Sequence, residues 1–127
     1  MAKVVLDASA VLALIRREKG ADKVAPVMND GLLSSINAAE VYSKLDEWRV
    51  TQLEHDVYHN LIVNQIVPFG PDLALATGRL RHITKPLGLS LGDRACLALA
   101  LREGLPVMTA DRHWTKLAIG VTIECVR

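Results

Sequence analysis

The chain has 127 residues, half of them hydrophobic, and sets 15 Lys and Arg against 14 Asp and Glu. That length suits one domain over 1–127, with enough Leu, Val, Ile and Ala for a core that needs no disulfide or structural metal. Near-neutral charge and 4% aromatic content exclude a strongly basic nucleic-acid coat and an aromatic stacking platform for single strands.

Lys3 to Asp7 is a short β-branched run ending in an acid, as in a strand buried on both faces of a parallel sheet. The pattern predicts a helix from Ala8 to Arg17, broken by Gly20, and a second from Ala21 to Met28. Asn29-Asp30-Gly31 is a turn, and Leu32 to Ile36 reads as the second strand. Asn37-Ala38-Ala39-Glu40 has the form of a capping box, followed by Val41, Leu45 and Trp48 at helical spacing. A helix over Leu53 to Asn64 precedes Ile66 to Phe69, an edge strand because Pro68 has no N–H to donate. Pro71 opens a helix to about Ile83. Ser90-Leu91-Gly92-Asp93 is a second capping box, heading a helix that stops at Gly104. Pro106 to Thr109 is the next strand, Asp111 to Ala118 a short helix, and Val121 to Cys125 the last strand. Strands alternating with helices in this way give a three-layer α/β/α domain around a mainly parallel sheet.

Cys96 and Cys125 are the only cysteines and form no CxxC pair, so both are expected reduced, buried and structural. The longest apolar run, Ala95 to Leu101, is far below the roughly 20 residues that cross a bilayer. The apolar start is interrupted at Asp7, too early for a secretory core. The expected setting is the cytoplasm, with no membrane.

Asp7 closes the first strand, Asp111 follows the fourth, and Glu40 opens the helix after the second. Asp93, in the first turn of its own helix, can reach the same crevice. Ligands of open parallel sheets bind outside the carboxyl ends of the strands, where strand order reverses. Each acid also stands at a helix N-terminus, where capping amides and complementing the macrodipole is work enough for a carboxylate. Taken together they are harder to explain as caps. Carboxylates about 4 Å apart repel by roughly 4 kcal/mol at an effective dielectric near 20, so converging acids call for a cation. Oxygen ligands without paired His or Cys favour magnesium or manganese over zinc. Such a cation suits phosphodiester hydrolysis, because it acidifies water, orients phosphate and stabilises the leaving oxygen. Ser9 and Thr109 stand beside Asp7 and Asp111, either as supporting hydroxyls or as ordinary cap and turn residues.

Val5-Leu6-Asp7-Ala8-Ser9-Ala10, Asn37-Ala38-Ala39-Glu40-Val41, Ser90-Leu91-Gly92-Asp93-Arg94-Ala95 and Thr109-Ala110-Asp111-Arg112 resemble the four acidic motifs of PIN-domain ribonucleases, in order along almost the whole chain. The likeness is to the VapC toxins of toxin–antitoxin pairs. It implies a sheet of order 3-2-1-4-5 and a magnesium-dependent endoribonuclease, manganese also serving, that cuts RNA with a metal-activated water. Asp7, Glu40, Asp93 and Asp111 become the catalytic and metal-binding acids, with Ser9 and Thr109 in support. A homodimer is implied, and a cognate antitoxin whose C-terminal segment blocks the site. Between Pro68 and Gly88 only the general pattern matches.

RNA phosphates need cations, and Arg16, Arg17, Arg81, Lys85, Arg94 and Arg112 are the candidates, each with a solvated surface role as the alternative. His55, His59 and His82 show no ligand spacing. Trp48, Tyr58 and Leu61 are available either to a dimer face or to the core. Two other functions compete: a non-catalytic PIN-fold module that binds a partner protein, and a receiver-like phosphoacceptor domain. The second lacks adjacent acids beside Asp7 and a Lys in the last strand.

Overall fold

A computed structural model of the chain describes residues 1–127. In chain order the elements are β1 (Val4–Leu6), α1 (Ala8–Ile15), α2 (Ala21–Val24), β2 (Gly31–Ser34), α3 (Ser35–Glu47), α4 (Gln52–Ile62), β3 (Ile66–Val67), α5 (Pro71–Arg79), α6 (Arg81–Thr84), α7 (Leu91–Glu103), β4 (Val107–Thr109) and β5 (Ile123–Cys125). Short 3-10 segments cover Ala25–Asp30, Val63–Gln65, Lys85–Leu87 and Arg112–Lys116.

All strand pairs are parallel, and the sheet runs β3-β2-β1-β4-β5, the order the resemblance implied. A receiver-like domain would instead run 2-1-3-4-5, so that alternative is set aside. Val5 sits between Leu32 and Val107 at the middle of the sheet.

Alternation along β1 explains the layers. Val4 and Leu6 enter one core with Val11, Leu33, Val41, Leu45, Ile62 and Met108. Val5 points the other way and packs with Val107, Leu73, Leu97, Leu99 and Trp114. Each fully buried Leu or Val contributes about 1.5–3 kcal/mol, and with both faces covered the strands have no need of polar residues. No helix is long and apolar enough to cross a membrane.

Helix ends follow local chemistry where that chemistry is unambiguous. Thr51 and Glu54 form a reciprocal box at the start of α4, and Ser90 and Asp93 another at the start of α7. Gly104 ends α7 in the left-handed conformation at φ 64°, which a residue without Cβ adopts freely.

Four boundaries differ from the sequence expectation. The helix α3 begins a turn earlier than the Asn37 box predicts: Ser34, the last residue of β2, caps it by accepting from the Ile36 amide at 3.3 Å. Asn37 therefore lies inside the helix, and Glu40 lies in its second turn rather than at its opening. The predicted Ala21–Met28 helix lasts only four residues before a 3-10 segment containing Pro26, which cannot donate a helical hydrogen bond. The segment from Pro71 divides at Leu80 into α5 and α6, and Asp111 caps a 3-10 turn rather than a longer helix. Cys96 is buried as expected, whereas Cys125, on an edge strand, is only partly covered.

Candidate functional site

The strand order reverses between β1 and β4, and Asp7 and Asp111 stand just beyond the ends of those strands. Asp7 turns the chain from β1 into α1 with extended backbone and accepts from the Ala10 amide at 2.8 Å. Ser9 Oγ donates into the same carboxylate, at 2.7 and 2.8 Å from its two oxygens, and Thr109 Oγ1 donates to Oδ2 at 2.7 Å. The two hydroxyls are tied down in turn. Ser9 Oγ accepts from the Ala110 amide at 2.9 Å, and Thr109 Oγ1 accepts from the Asp111 amide at 3.0 Å. The end of β4 thus fixes the acid at the end of β1.

Glu40 arrives from α3. Its Oε1 accepts from Asn37 Nδ2 at 2.7 Å, and the same amide donates to the Gly92 carbonyl of α7 at 3.0 Å. Gly92 makes room for this approach, since a Cβ there would lie 2.8 Å from the Glu40 carboxyl carbon. Asp93 follows on α7 and accepts from the Ser90 amide at 2.9 Å. Asp111 accepts from the His113 amide at 2.9 Å, with the His113 ring nitrogen 3.3 Å away.

All four acids line one depression of about 220 Å³, together with Ser9, Asn37 and Lys44. No three of them close on one point to cage an ion by themselves. Magnesium does not require such a cage, because it binds through one or two carboxylates and keeps several waters. The donor set is oxygen only, with no His or Cys in the lining, which fits a hard cation.

Asp7 is the most buried of the four, at 5% exposure. Burial raises its pKa from 3.8 to about 6, against the lowering effect of the Ser9, Thr109 and Ala10 hydrogen bonds, and the Asp93 charge adds a lesser upward push. Burial therefore outweighs repulsion between the acids at Asp7, contrary to the sequence-based emphasis on crowding. The negative field is still felt behind the site: the Cys96 thiol is pushed well up by burial first and then by Asp7, Asp93 and Glu40. A thiol in that setting stays protonated and inert.

Neutral groups hold the acids in place. Asp7, Glu40 and Asp93 form no ion pair with Lys or Arg, and the only candidate partner of Asp111 is His113. Their partners are hydroxyls, a carboxamide and backbone amides, which orient a carboxylate without cancelling its charge. Lys44 lines the depression, yet its ammonium pairs with Glu47 at 3.2 Å.

The predicted cations divide. Arg112 lines a neighbouring depression of about 480 Å³ with Ser9, Asp111, His113 and Arg127. Arg94 is not available: it is 9% exposed, and its guanidinium donates to the Thr77 carbonyl at 3.1 Å inside the protein. Arg16 stacks over Trp48 at 4.4 Å. Arg17 lines a separate groove with Tyr58 and Leu61. Arg81 and Lys85 are exposed and line neither acid-side depression.

Sequence reasoning misses Asn37, Gly92 and Lys44 as site residues. Lys44 carries a signal, for it stands four residues after Glu40 and hence on the same helix face. Asn37 carries one too, but its spacing to Glu40 also fits a cap. Gly92 carries none without knowledge of what approaches it.

Solved structures share this arrangement of elements. A DNA-bound VapBC complex from Salmonella typhimurium contains a chain that superposes with a TM-score of 0.78 at 19% identity, covering 100% of both chains. A toxin–antitoxin complex from Klebsiella pneumoniae gives 0.73 at 20% identity over 94% of this chain and 96% of that one. FitAcB from Neisseria gonorrhoeae gives 0.68 at 20% identity over 94% and 95%. Identities this low carry the fold alone. Among curated proteins, the ESX-5 secretion system protein EccC5 of Mycobacterium marinum is 31% identical over 97 residues, 74% of this chain. The chain spans only 7% of that protein's length, so the likeness is to a fragment. The PIN domain family matches residues 4–120, a span that takes in all four acids and every strand but the last. With that match over most of its length and a sheet in the order its motifs implied, the chain belongs to the PIN domain family.

Proposed function

We propose that the chain is a divalent-cation-dependent endoribonuclease, the toxin of a VapBC-type toxin–antitoxin pair. One observation carries this most strongly: four acids from four separate segments line one depression and are held there by neutral donors. Caps alone would give no reason to bring them together, and Glu40, in the second turn of α3, caps nothing. Magnesium is the proposed ion, with manganese able to replace it, and Asp7, Glu40, Asp93 and Asp111 its ligands directly or through water.

When bound, the cation supplies charge for the phosphate and leaving oxygen and acidity for an attacking water. The chain's own residues do the rest. Ser9 and Thr109 keep the Asp7 carboxylate in one orientation, and Asn37 does so for Glu40. Lys44 in the depression of the acids and Arg112 in the adjoining one offer cationic ground for backbone phosphates, while Arg127, which lines the second depression, is paired with Glu18 at 2.8 Å. Such contacts position a strand without reading its bases. RNA as substrate follows from the family resemblance, and the toxin–antitoxin complexes among the structural neighbours support an antitoxin as partner. A homodimer belongs to the same proposal. Leu53 and Val57 expose 75% and 57% of their surface on α4 beside the Tyr58–Leu61 groove, and gel filtration at micromolar concentration tests it.

The test of the activity is cleavage of single-stranded RNA in magnesium, in manganese and in chelator, beside Asp93→Asn protein. Cleavage is expected only with metal and only in the wild type. Cleavage in chelator, or in folded Asp93→Asn protein at the wild-type rate, would refute the assignment.

A further inference from the structure

We infer that Asn37 is the positioning residue that sets the site's affinity for its divalent cation, by seating the Glu40 carboxylate against the first turn of α7. This rests on the proposed cation site and concerns a residue none of the four acidic side chains can replace.

Asn37 is 1% exposed, although it sits within a helix whose neighbouring positions Ala39 and Glu40 are open to solvent. Both protons of its amide nitrogen are used, one on Glu40 Oε1 at 2.7 Å and one on the Gly92 carbonyl at 3.0 Å. Two acceptors fix which end of the carboxamide is nitrogen, because the oxygen could bond to neither. That oxygen, Oδ1, is buried without a hydrogen-bond partner. A buried acceptor left unmade costs free energy that an aliphatic side chain of the same size would not incur. The amide is therefore a poor choice for packing and a good one for holding an acid.

Its position explains what the holding achieves. The amide bridges α3 to α7 at the residue before Asp93, so one side chain sets the separation between two site acids. Gly92 completes the seat, since a Cβ there would lie 2.8 and 2.9 Å from the Glu40 carboxyl carbon and Oε2. A neutral donor is the type of group such a seat needs. Lys or Arg in place of Asn37 would orient Glu40 but discharge it, whereas a carboxamide leaves the full charge to a cation and occupies only Oε1. Groups that hold a ligand from behind typically change metal affinity by about tenfold to a hundredfold when removed.

The test is manganese binding to the full chain, followed by the loss of the free-ion paramagnetic signal and by calorimetry, with no RNA present. Asn37→Leu keeps the heavy-atom count and the branching at Cγ, at a somewhat larger volume, and removes both the two donors and the orphaned oxygen. In chelator its melting temperature is expected within a few degrees of wild type, while manganese affinity falls at least tenfold. Glu40→Gln is expected to bind more weakly as well, and N37L/E40Q to bind no worse than E40Q, since Asn37 acts through Glu40. If N37L does not fold, Asn37→Ala carries the same expectations, with a good helix former in a small cavity. Wild-type affinity in a folded Asn37 variant overturns the proposal. So does a loss of the same factor in the Glu40→Gln background, which would place the effect elsewhere. A wild type that binds no manganese overturns both this and the cation site itself, an outcome distinct from equal binding by the two proteins.

Discussion

Replacing Asp7 with Asn should make the metal-free protein more stable at neutral pH while ending its response to magnesium. Asp7 is almost wholly buried, and its carboxyl is moved from 3.8 to about 6, first by burial. At about 1.4 kcal/mol per tenfold change in proton affinity, keeping it ionised at pH 7 costs the folded state about 3 kcal/mol. Asparagine avoids that cost and still fits the hydrogen bonds. Its carbonyl oxygen accepts from the Ala10 amide as Oδ1 does now, and the Thr109 hydroxyl can turn to accept from the new amide where it now donates to Oδ2.

The sign with pH follows from the raised value. Between about pH 4 and pH 6 the folded protein keeps a proton that the unfolded chain has released. Wild-type stability relative to Asp7→Asn is therefore whole below that window and lost above it. Urea or thermal melts of both proteins in chelator, from pH 4 to 8, measure the gap. It should be near zero at pH 4 and open to about 3 kcal/mol by pH 7, on the order of 10 °C in melting temperature for a domain of this size. Adding magnesium should close it by stabilising only the wild type, by about 2.7 kcal/mol at a hundred times the dissociation constant. If Asp7→Asn is no more stable than wild type at pH 7 in chelator, the burial account of this residue is wrong.

Thr109→Val keeps the shape of a fully buried residue but leaves Asp7 Oδ2 and the Asp111 amide each short of a partner. It should cost about 1–3 kcal/mol in melts and lower the rate of RNA cleavage more than it raises KM. Arg112→Ala and Arg94→Ala should separate by assay. The first lowers RNA affinity and reduces the salt slope of binding by about one phosphate contact. The second removes a buried guanidinium bonded to Thr77, so it should show in stability, with the salt slope unchanged.

Much of the fold is legible in the amino-acid sequence because the strands are buried on both faces. Val4-Val5-Leu6 and Val107-Met108-Thr109 have no solvent-facing side to confuse the period, and each hands over to an acid. The Ser90–Asp93 box is equally legible, since Pro86 and Gly88 close the preceding segment and leave no rival start for the helix. The illegible parts are those that only tertiary contact decides. Asn37-Ala38-Ala39-Glu40 satisfies the capping pattern as well as Ser34 does, and the end of β2 settles which of the two caps the helix. Arg94 reads as a cation beside a site acid, but in the packed domain its side chain is buried and its guanidinium donates to the Thr77 carbonyl of α5, a tertiary contact no local pattern announces. Lys44 carries only its four-residue spacing from Glu40, a pattern that solvated surface lysines share, and its exposure agrees with that.

Lys44 also shows how the depression keeps its charge. Glu40 followed by a lysine four residues on is the favourable orientation for a helical ion pair, worth about 0.2–0.5 kcal/mol. The pair does not form: the Lys44 ammonium lies instead against Glu47 at 3.2 Å, and Glu40 keeps its charge with only Oε1 taken by Asn37. Glu47 thus keeps a competitor away from the acids while leaving it at the rim, where a phosphate can recruit it. Glu47→Gln should free the ammonium to visit Glu40 and weaken manganese binding about twofold, the factor that pair energy allows. Lys44→Gln should leave manganese affinity equal to or slightly above wild type while raising the KM for RNA. The two substitutions touch the same ion pair, so a loss of pairing alone predicts that they behave alike. Weaker manganese binding in Glu47→Gln beside affinity at or above wild type in Lys44→Gln would show that Glu47 holds the ammonium off the acids. A raised KM for RNA in Lys44→Gln would place Lys44 at the rim as a group for phosphate, and an unchanged KM would reduce it to one more solvated lysine.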